Sequence, residues 1–250
     1  VNKNYKADYA LIGDAKLVLQ AIVKEVKTQA DKGCFPHNED PVREIALVKK
    51  EWLAEWMPQL TSEEVPINQY RIIWDLLQTV DRANTIITHD AGSPRDQIIP
   101  FWETIEPRTY MGWGKSTQLG YGLGIIMGAK LAEPNKLCIN IMGDAAIGMV
   151  GMDIETAARN RIGILTIVFN NGIMAIERDL QPFSAKSHDT LRQDGNYKMI
   201  GDALGAYGMR VEAPDQFIPA LKKAIEVTKS GQPALIECMV KAGFDFSKYP

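Results

Sequence analysis

The chain has 250 residues, 46% of them hydrophobic, a net charge of −3 and three cysteines. That length supports one large or two small domains. The charge offers no field for nucleic acid or an anionic membrane, and no apolar run approaches the roughly 18–20 residues of a bilayer span.

Cys34, Cys138 and Cys238 are odd in number and widely spaced, so they read as free thiols, with Cys138 and Cys238 buried in strands, in a reducing cytoplasm. The N-terminal VNKNYKADYALIGD has no signal-peptide pattern. Residues 7–13, ADYALIG, read as a short buried strand. Asp14 can cap a following helix whose apolar face is Leu17, Val18, Ala21, Ile22 and Val26. Residues 31–41 form a polar linker in which His37 is a solvated loop histidine. From Val42 to Met57 the pattern is helical, ended by Pro58 and TSEEVP.

Near Ile67 the pattern changes to regular alternation. Residues 68–80 predict an amphipathic helix carrying Ile72, Ile73, Leu76 and Leu77, and 85–88 a β-branched strand ending at His89-Asp90-Ala91-Gly92-Ser93. Residues 110–132 hold a glycine-rich helix. Strands follow at 137–142 and 163–169, with a small-residue helical segment through Asn160 between them. Residues 178–196 lack a period and read as a loop over a site, with His188 a weak candidate for substrate contact. Asn196 can cap a helix over 197–204, followed by a strand at 209–211, a helix at 215–229 and a last strand at 234–240. This alternation predicts a three-layer α/β domain on a parallel sheet. No repeat, heptad array or low-complexity tract interrupts it.

The chemistry gathers between Leu137 and Glu177. Each apolar strand there stops at ligand-type residues, Gly143-Asp144 and Asn170-Asn171-Gly172. In a parallel sheet both turns lie at the carboxyl edge, where open α/β sheets bind ligands. Asp144 and Asn171 are 27 residues apart, so one unit can bring a carboxylate and an amide oxygen together. Such hard donors suit Mg²⁺, which takes phosphate oxygens as further ligands. Glycines such as Gly143 allow close backbone approach, and the amides of Ala145 and Ala146 can meet a diphosphate at the start of the next helix.

Gly143-Asp144-Ala145, then Asn170-Asn171, resembles the thiamine-diphosphate motif, with alanine in place of its second glycine. Nearly the whole chain is similar to the acetolactate synthase and pyruvate decarboxylase group. The resemblance implies that residues 1–30 are the terminal strand and helix of a central domain, 31–66 a linker and crossing helix, and 67–250 the diphosphate- and Mg-binding domain. It implies diphosphate contacts from Gly92 and Ser93, and aminopyrimidine contacts from the Thr117 carbonyl and the Leu119 amide. Leu119 would also wedge between the cofactor's rings. The Ile173 carbonyl becomes the third protein ligand to magnesium, after Asp144 and Asn171. Glu177, six residues beyond Asn171, is either a proton-handling carboxylate near the substrate or one charge of a solvated Glu-Arg-Asp run. His89 either lines the active site or caps its strand.

The implied function is thiamine-diphosphate- and Mg-dependent decarboxylation or carboligation of a 2-oxo acid. A 2-hydroxyacyl-CoA lyase, an oxalyl-CoA or benzoylformate decarboxylase, and a non-catalytic cofactor-binding subunit are the alternatives. The glutamate that activates the cofactor in this family comes from a pyrimidine-binding domain of the same or a partner chain, which implies a homodimer or tetramer. Met111, Trp113, Met149 and Met152 are candidates for its apolar surface.

Overall fold

A computed structural model describes residues 3–34, 40–112, 114, 118–243 and 245–247. The chain divides into two compact units, residues 1–53 and 54–250.

In the first unit, helix α1 (Ala15–Asp31) starts where Asp14 accepts a hydrogen bond from the Leu17 N–H at 3.1 Å, satisfying one of the first-turn donors. None of its residues is buried. The strand expected at residues 7–13 does not form. Those residues show no ladder, and Tyr9, Leu11 and Ile12 are exposed. An apolar run becomes a strand only when a neighbour accepts its backbone bonds, and none of the described strands lies beside it.

Helix α2 (Pro41–Leu60) runs through Pro58 rather than ending before it. Proline removes one N–H bond, and here the loss falls in the last turn, which the Thr61 N–H still closes onto the Met57 carbonyl at 2.9 Å. The end of α2 belongs to the second unit. Trp56 packs there against Tyr70 and Phe101, with ring centroids 4.8 and 5.6 Å apart. Each such pair adds about 0.5–1.5 kcal/mol beyond area burial.

The second unit is an α/β sandwich on a six-stranded, all-parallel sheet. Its strands are β1 (Thr85–His89), β2 (Tyr110–Met111), β3 (Leu137–Gly143), β4 (Leu165–Asn170), β5 (Tyr207–Val211) and β6 (Ala234–Met239), in the spatial order β2-β1-β3-β4-β6-β5. Every residue of β1 and β4 is buried, as expected for strands covered on both faces.

The helices are α3 (Gln69–Thr79), α4 (Ser93–Ile98), α5 (Tyr121–Ala132), α6 (Asp144–Val150), α7 (Asp153–Arg159), α8 (Pro182–His188), α9 (Tyr197–Ala203) and α10 (Phe217–Lys229). Side chains alternate across the sheet. Ile86, Cys138, Met142, Val168 and Leu235 join residues of α5, α6, α7 and α9 in one core cluster. The alternate positions Ile87, Ile139, Ile141, Ile167 and Ile236 point the other way, toward the buried Ile72, Ile73, Phe217 and Leu221 of α3 and α10.

Further elements of the second unit differ from the sequence reading. The helix through Asn160 is two helices, broken at Gly151-Met152, where the Gly151 N–H still reaches the Ile147 carbonyl at 2.7 Å. The stretch 178–196 contains α8, two turns opened by Pro182 and closed by Asp189 in the left-handed region, too short to show a period. The short β2 and α4 were not separated from their glycine- and proline-rich surroundings.

Candidate functional site

The strand order reverses at β1. Strand β2 lies on one side of it and β3 on the other, so the chain leaves β1 and β3 in opposite directions and a crevice opens at their carboxyl ends. A cavity of about 350 Å³ occupies this edge. Its lining draws on the turn after β1 (Gly92, Ser93), the turn after β3 (Gly143–Ala146), the turn after β4 (Asn171, Ile173) and the 3₁₀ turn Ala175–Asp179, which carries Glu177.

Asp144 organises this edge. It is 3% exposed. Its Oδ1 accepts from the Ala145 N–H at 2.8 Å, and its Oδ2 accepts from the N–H groups of Asn171 at 3.2 Å and Gly172 at 2.8 Å. Burial holds the Asp144 carboxyl above the ordinary carboxylate range, and the three N–H donors pull the other way. Asn171 is half-buried, and its Oδ1 accepts from the Ile173 N–H at 3.0 Å. Gly172 sits at φ +73°, a left-handed position that a side chain would strain.

A carboxylate offers about four lone-pair sites and an amide oxygen two. After these hydrogen bonds, Asp144 and Asn171 each keep an acceptor site. A carboxylate and an amide oxygen beside backbone carbonyls suit a hard divalent cation, and its charge would offset the burial that opposes ionised Asp144. Among the described residues no three His, Cys, Asp or Glu side chains gather as a metal cluster; a cation held here would take one carboxylate, Asp144, with amide and backbone oxygens.

The segment after β4 leaves the sheet and returns to its own start. The Gln193 N–H reaches the Gly172 carbonyl at 2.8 Å, the Met174 N–H reaches the Leu191 carbonyl at 2.8 Å, and Ile173 forms an antiparallel bridge with Arg192. The span between carries Ile176, Glu177 and Leu180 to the cavity wall.

The structure therefore gathers Gly92, Ser93, Leu119, Gly143, Asp144, Ala145, Ala146, Asn171, Ile173 and Glu177 around one cavity. Thr117 and Trp113 lie outside the described residues. His188 is exposed on α8 and does not line the cavity. His89 is 2% exposed. Burial lowers its pKa and favours neutral imidazole, and its ring packs against Tyr110 and Tyr121 rather than on the cavity wall.

Sequence reasoning passed over four side chains. Asp90 is fully buried and accepts from the N–H groups of Ala91 (2.8 Å), Gly120 (2.8 Å) and Gly122 (3.3 Å). It ties the end of β1 to the start of α5. Gly120, at φ +94°, caps that helix, and a Cβ there would overlap Val150. Arg95, Gln97 and Gln69 also line the cavity. Arg95 brings a positive charge, held by Asp96 at 2.6 Å. Gln97 is fully buried, and its amide has no hydrogen-bond partner among the described residues. A Pro-Arg-Asp-Gln run after a strand end gave no spacing signal; only the helix register of α4 carries Gln97 back under Ser93.

The model of the C-terminal TPP binding domain of thiamine pyrophosphate enzymes matches residues 90–238. A probable acetolactate synthase large subunit of Methanococcus aeolicus is 25% identical over 268 residues, covering 100% of this chain and 43% of the relative. A 2-hydroxyacyl-CoA lyase of Arabidopsis thaliana is 27% identical over 245 residues, covering 94% of this chain and 42% of the relative. The acetolactate synthase large subunit IlvG of Mycobacterium tuberculosis is 28% identical over 185 residues, covering 72% and 33%. The chain thus spans less than half the length of these relatives.

Proposed function

The chain belongs to the thiamine pyrophosphate enzymes, matched over their C-terminal TPP binding domain, and from that premise we propose that it supplies the diphosphate- and magnesium-binding half of an active site acting on a 2-oxo acid. The observation that carries the reading is Asp144 and Asn171, joined by the hydrogen bond from the Asn171 N–H to Asp144 Oδ2, lining one cavity together with Gly92 and Ser93.

In this reading Asp144, the Asn171 side-chain oxygen and the Ile173 carbonyl hold Mg²⁺. The backbone of Gly92 and of Ala145–Ala146 and the Ser93 hydroxyl receive the diphosphate, and Arg95 adds charge nearby. Leu119 supports the bend of the cofactor, and Thr117 and Leu119 face its pyrimidine through their backbones. Glu177 handles a proton at the substrate. Thiamine diphosphate, when bound, supplies an acidic ring carbon that serves as nucleophile and electron sink. The protein's part is to bind, orient and exclude water. A pyrimidine-binding domain, in the same polypeptide or a partner, completes the site in a homodimer or tetramer.

The chemistry we assign is decarboxylation with or without carboligation, in the manner of acetolactate synthases. Relatives named 2-hydroxyacyl-CoA lyase match at similar identity, so that lyase reaction is the second reading. The test is calorimetric titration of the chain with thiamine diphosphate, with and without Mg²⁺. Binding that needs magnesium and disappears in Asp144→Ala is expected. Binding that ignores both the metal and the substitution would sink the assignment.

A further inference from the structure

We infer that Glu237 is a positioning residue that sets the hydrogen-bond polarity of the Asn170-Asn171-Gly172 turn. The inference rests on the reading of Asn171 as a ligand residue, but its geometry stands by itself.

Glu237 lies in the middle of β6 and is fully buried. A carboxylate there is costly unless donors surround it. Its Oε1 accepts from Asn170 Nδ2 at 2.7 Å, and its Oε2 accepts from the Lys198 N–H at 3.0 Å. Arg210 Nη1 stands 3.9 Å from Oε2. The residue does not line the cavity at the carboxyl edge, and neither hydrogen-bond partner is an ordinary salt-bridge partner. It has spent its burial on an amide and a backbone N–H.

The consequence lies in the amide. Both Glu237 oxygens act as acceptors in these contacts. Asn170 must therefore turn Nδ2 toward Glu237, where it also meets the Gly195 carbonyl at 3.3 Å. Its Oδ1 is then forced toward the turn, where it accepts from the Gly172 N–H at 3.2 Å. That N–H also donates to Asp144 Oδ2. One buried carboxyl group, through its acceptor contacts, thus fixes which end of an amide faces the turn, and so fixes the backbone that presents Asn171 beside Asp144. A neutral glutamine at position 237 would lose this control. Its oxygen is claimed by the Lys198 N–H, its NH₂ then faces Asn170, and Asn170 must flip. The flipped amide sets a donor against the Gly172 N–H.

The test is a pair of variants of the full chain, Glu237→Gln and Glu237→Gln combined with Asn170→Asp. In the double variant the amide at 237 donates to a carboxylate at 170, which can again accept from Gly172. Amide hydrogen exchange at residues 171–173 should rise about tenfold or more in the single variant, relative to the amides of β6, and recover in the double. Mn²⁺ affinity in the presence of thiamine diphosphate, read by electron paramagnetic resonance, should fall about tenfold in the single variant and recover with it, in the range usual for groups that orient metal ligands. A merely structural carboxylate would not be rescued by replacing its own donor. Unchanged exchange at residues 171–173 in the single variant, or a double variant worse than the single, overturns the inference. If the unsubstituted chain binds no Mn²⁺ with the cofactor, the ligand reading of Asn171 fails, and the exchange measurement still decides the role of Glu237.

Discussion

Asp90 and Asp144 end neighbouring parallel strands, and each accepts three backbone N–H bonds from the segments that follow. Burial raises the pKa of both. Asp90 is sealed beneath the start of α5 and does not line the cavity at this edge, whereas Asp144 does. The same chemistry thus serves two ends. A carboxylate sealed among N–H donors is a clamp, and a carboxylate with an acceptor site left toward open space is free to take a ligand's role, as proposed for Asp144. The distinction rests on the crossover above each residue and not on the residue itself.

The contrast is sharpest in mutants. Asp90→Ala should cost about 3–5 kcal/mol of stability in urea unfolding, since three buried N–H groups lose their acceptor at about 1–3 kcal/mol each with partial relaxation. A loss under 1 kcal/mol would erase the clamp. Asp144→Ala should show the reverse: magnesium-dependent cofactor affinity reduced by about a hundredfold or more, with a smaller loss of stability because the open cavity lets water reach the freed N–H groups. Equal stability losses in the two variants would break the comparison.

Glu177→Gln tests whether the 3₁₀ turn on the same cavity takes part in the chemistry. In the completed enzyme it should lower kcat by about tenfold or more, in the range of general acid–base effects, and leave cofactor affinity unchanged. An unaltered rate would make Glu177 a surface charge. The smallest effect is on pH. A carboxyl whose folded pKa is raised contributes most to stability below its unfolded value, near 3.8, and that contribution is lost as pH rises through the folded value. The stability advantage of the cofactor-free chain over Asp144→Ala should therefore shrink as pH rises above about 4. An advantage that grows with pH would contradict the burial argument.

Much of this was legible in the chain. β3 and β4 announce themselves as unbroken apolar runs because both of their faces are covered, and Gly143-Asp144 and Asn170-Asn171-Gly172 stand out because polar residues follow such runs abruptly. The turn at Gly92-Ser93 came from family likeness, and the cavity brings it opposite Asp144. Asp90 was hidden because its partners, Gly120 and Gly122, are thirty residues away and offer only backbone N–H groups, which leave no mark in a sequence. Glu237 gave no signal within the last strand, since its meaning depends on Asn170 in the adjacent strand. Residues 7–13 misled for the opposite reason: their composition suits a strand, but composition does not supply a neighbour to pair with.

The neck formed by Gly172–Met174 against Leu191–Gln193 has an evolutionary consequence. A loop whose ends are tied together can change length cheaply, because closure entropy grows only with the logarithm of its size. Residues between the ties can be inserted, deleted or exchanged while the turn presenting Asn171 keeps its shape. Under the proposed reading, substrate preference could then diverge among descendants of this fold without disturbing the turn assigned to the cofactor.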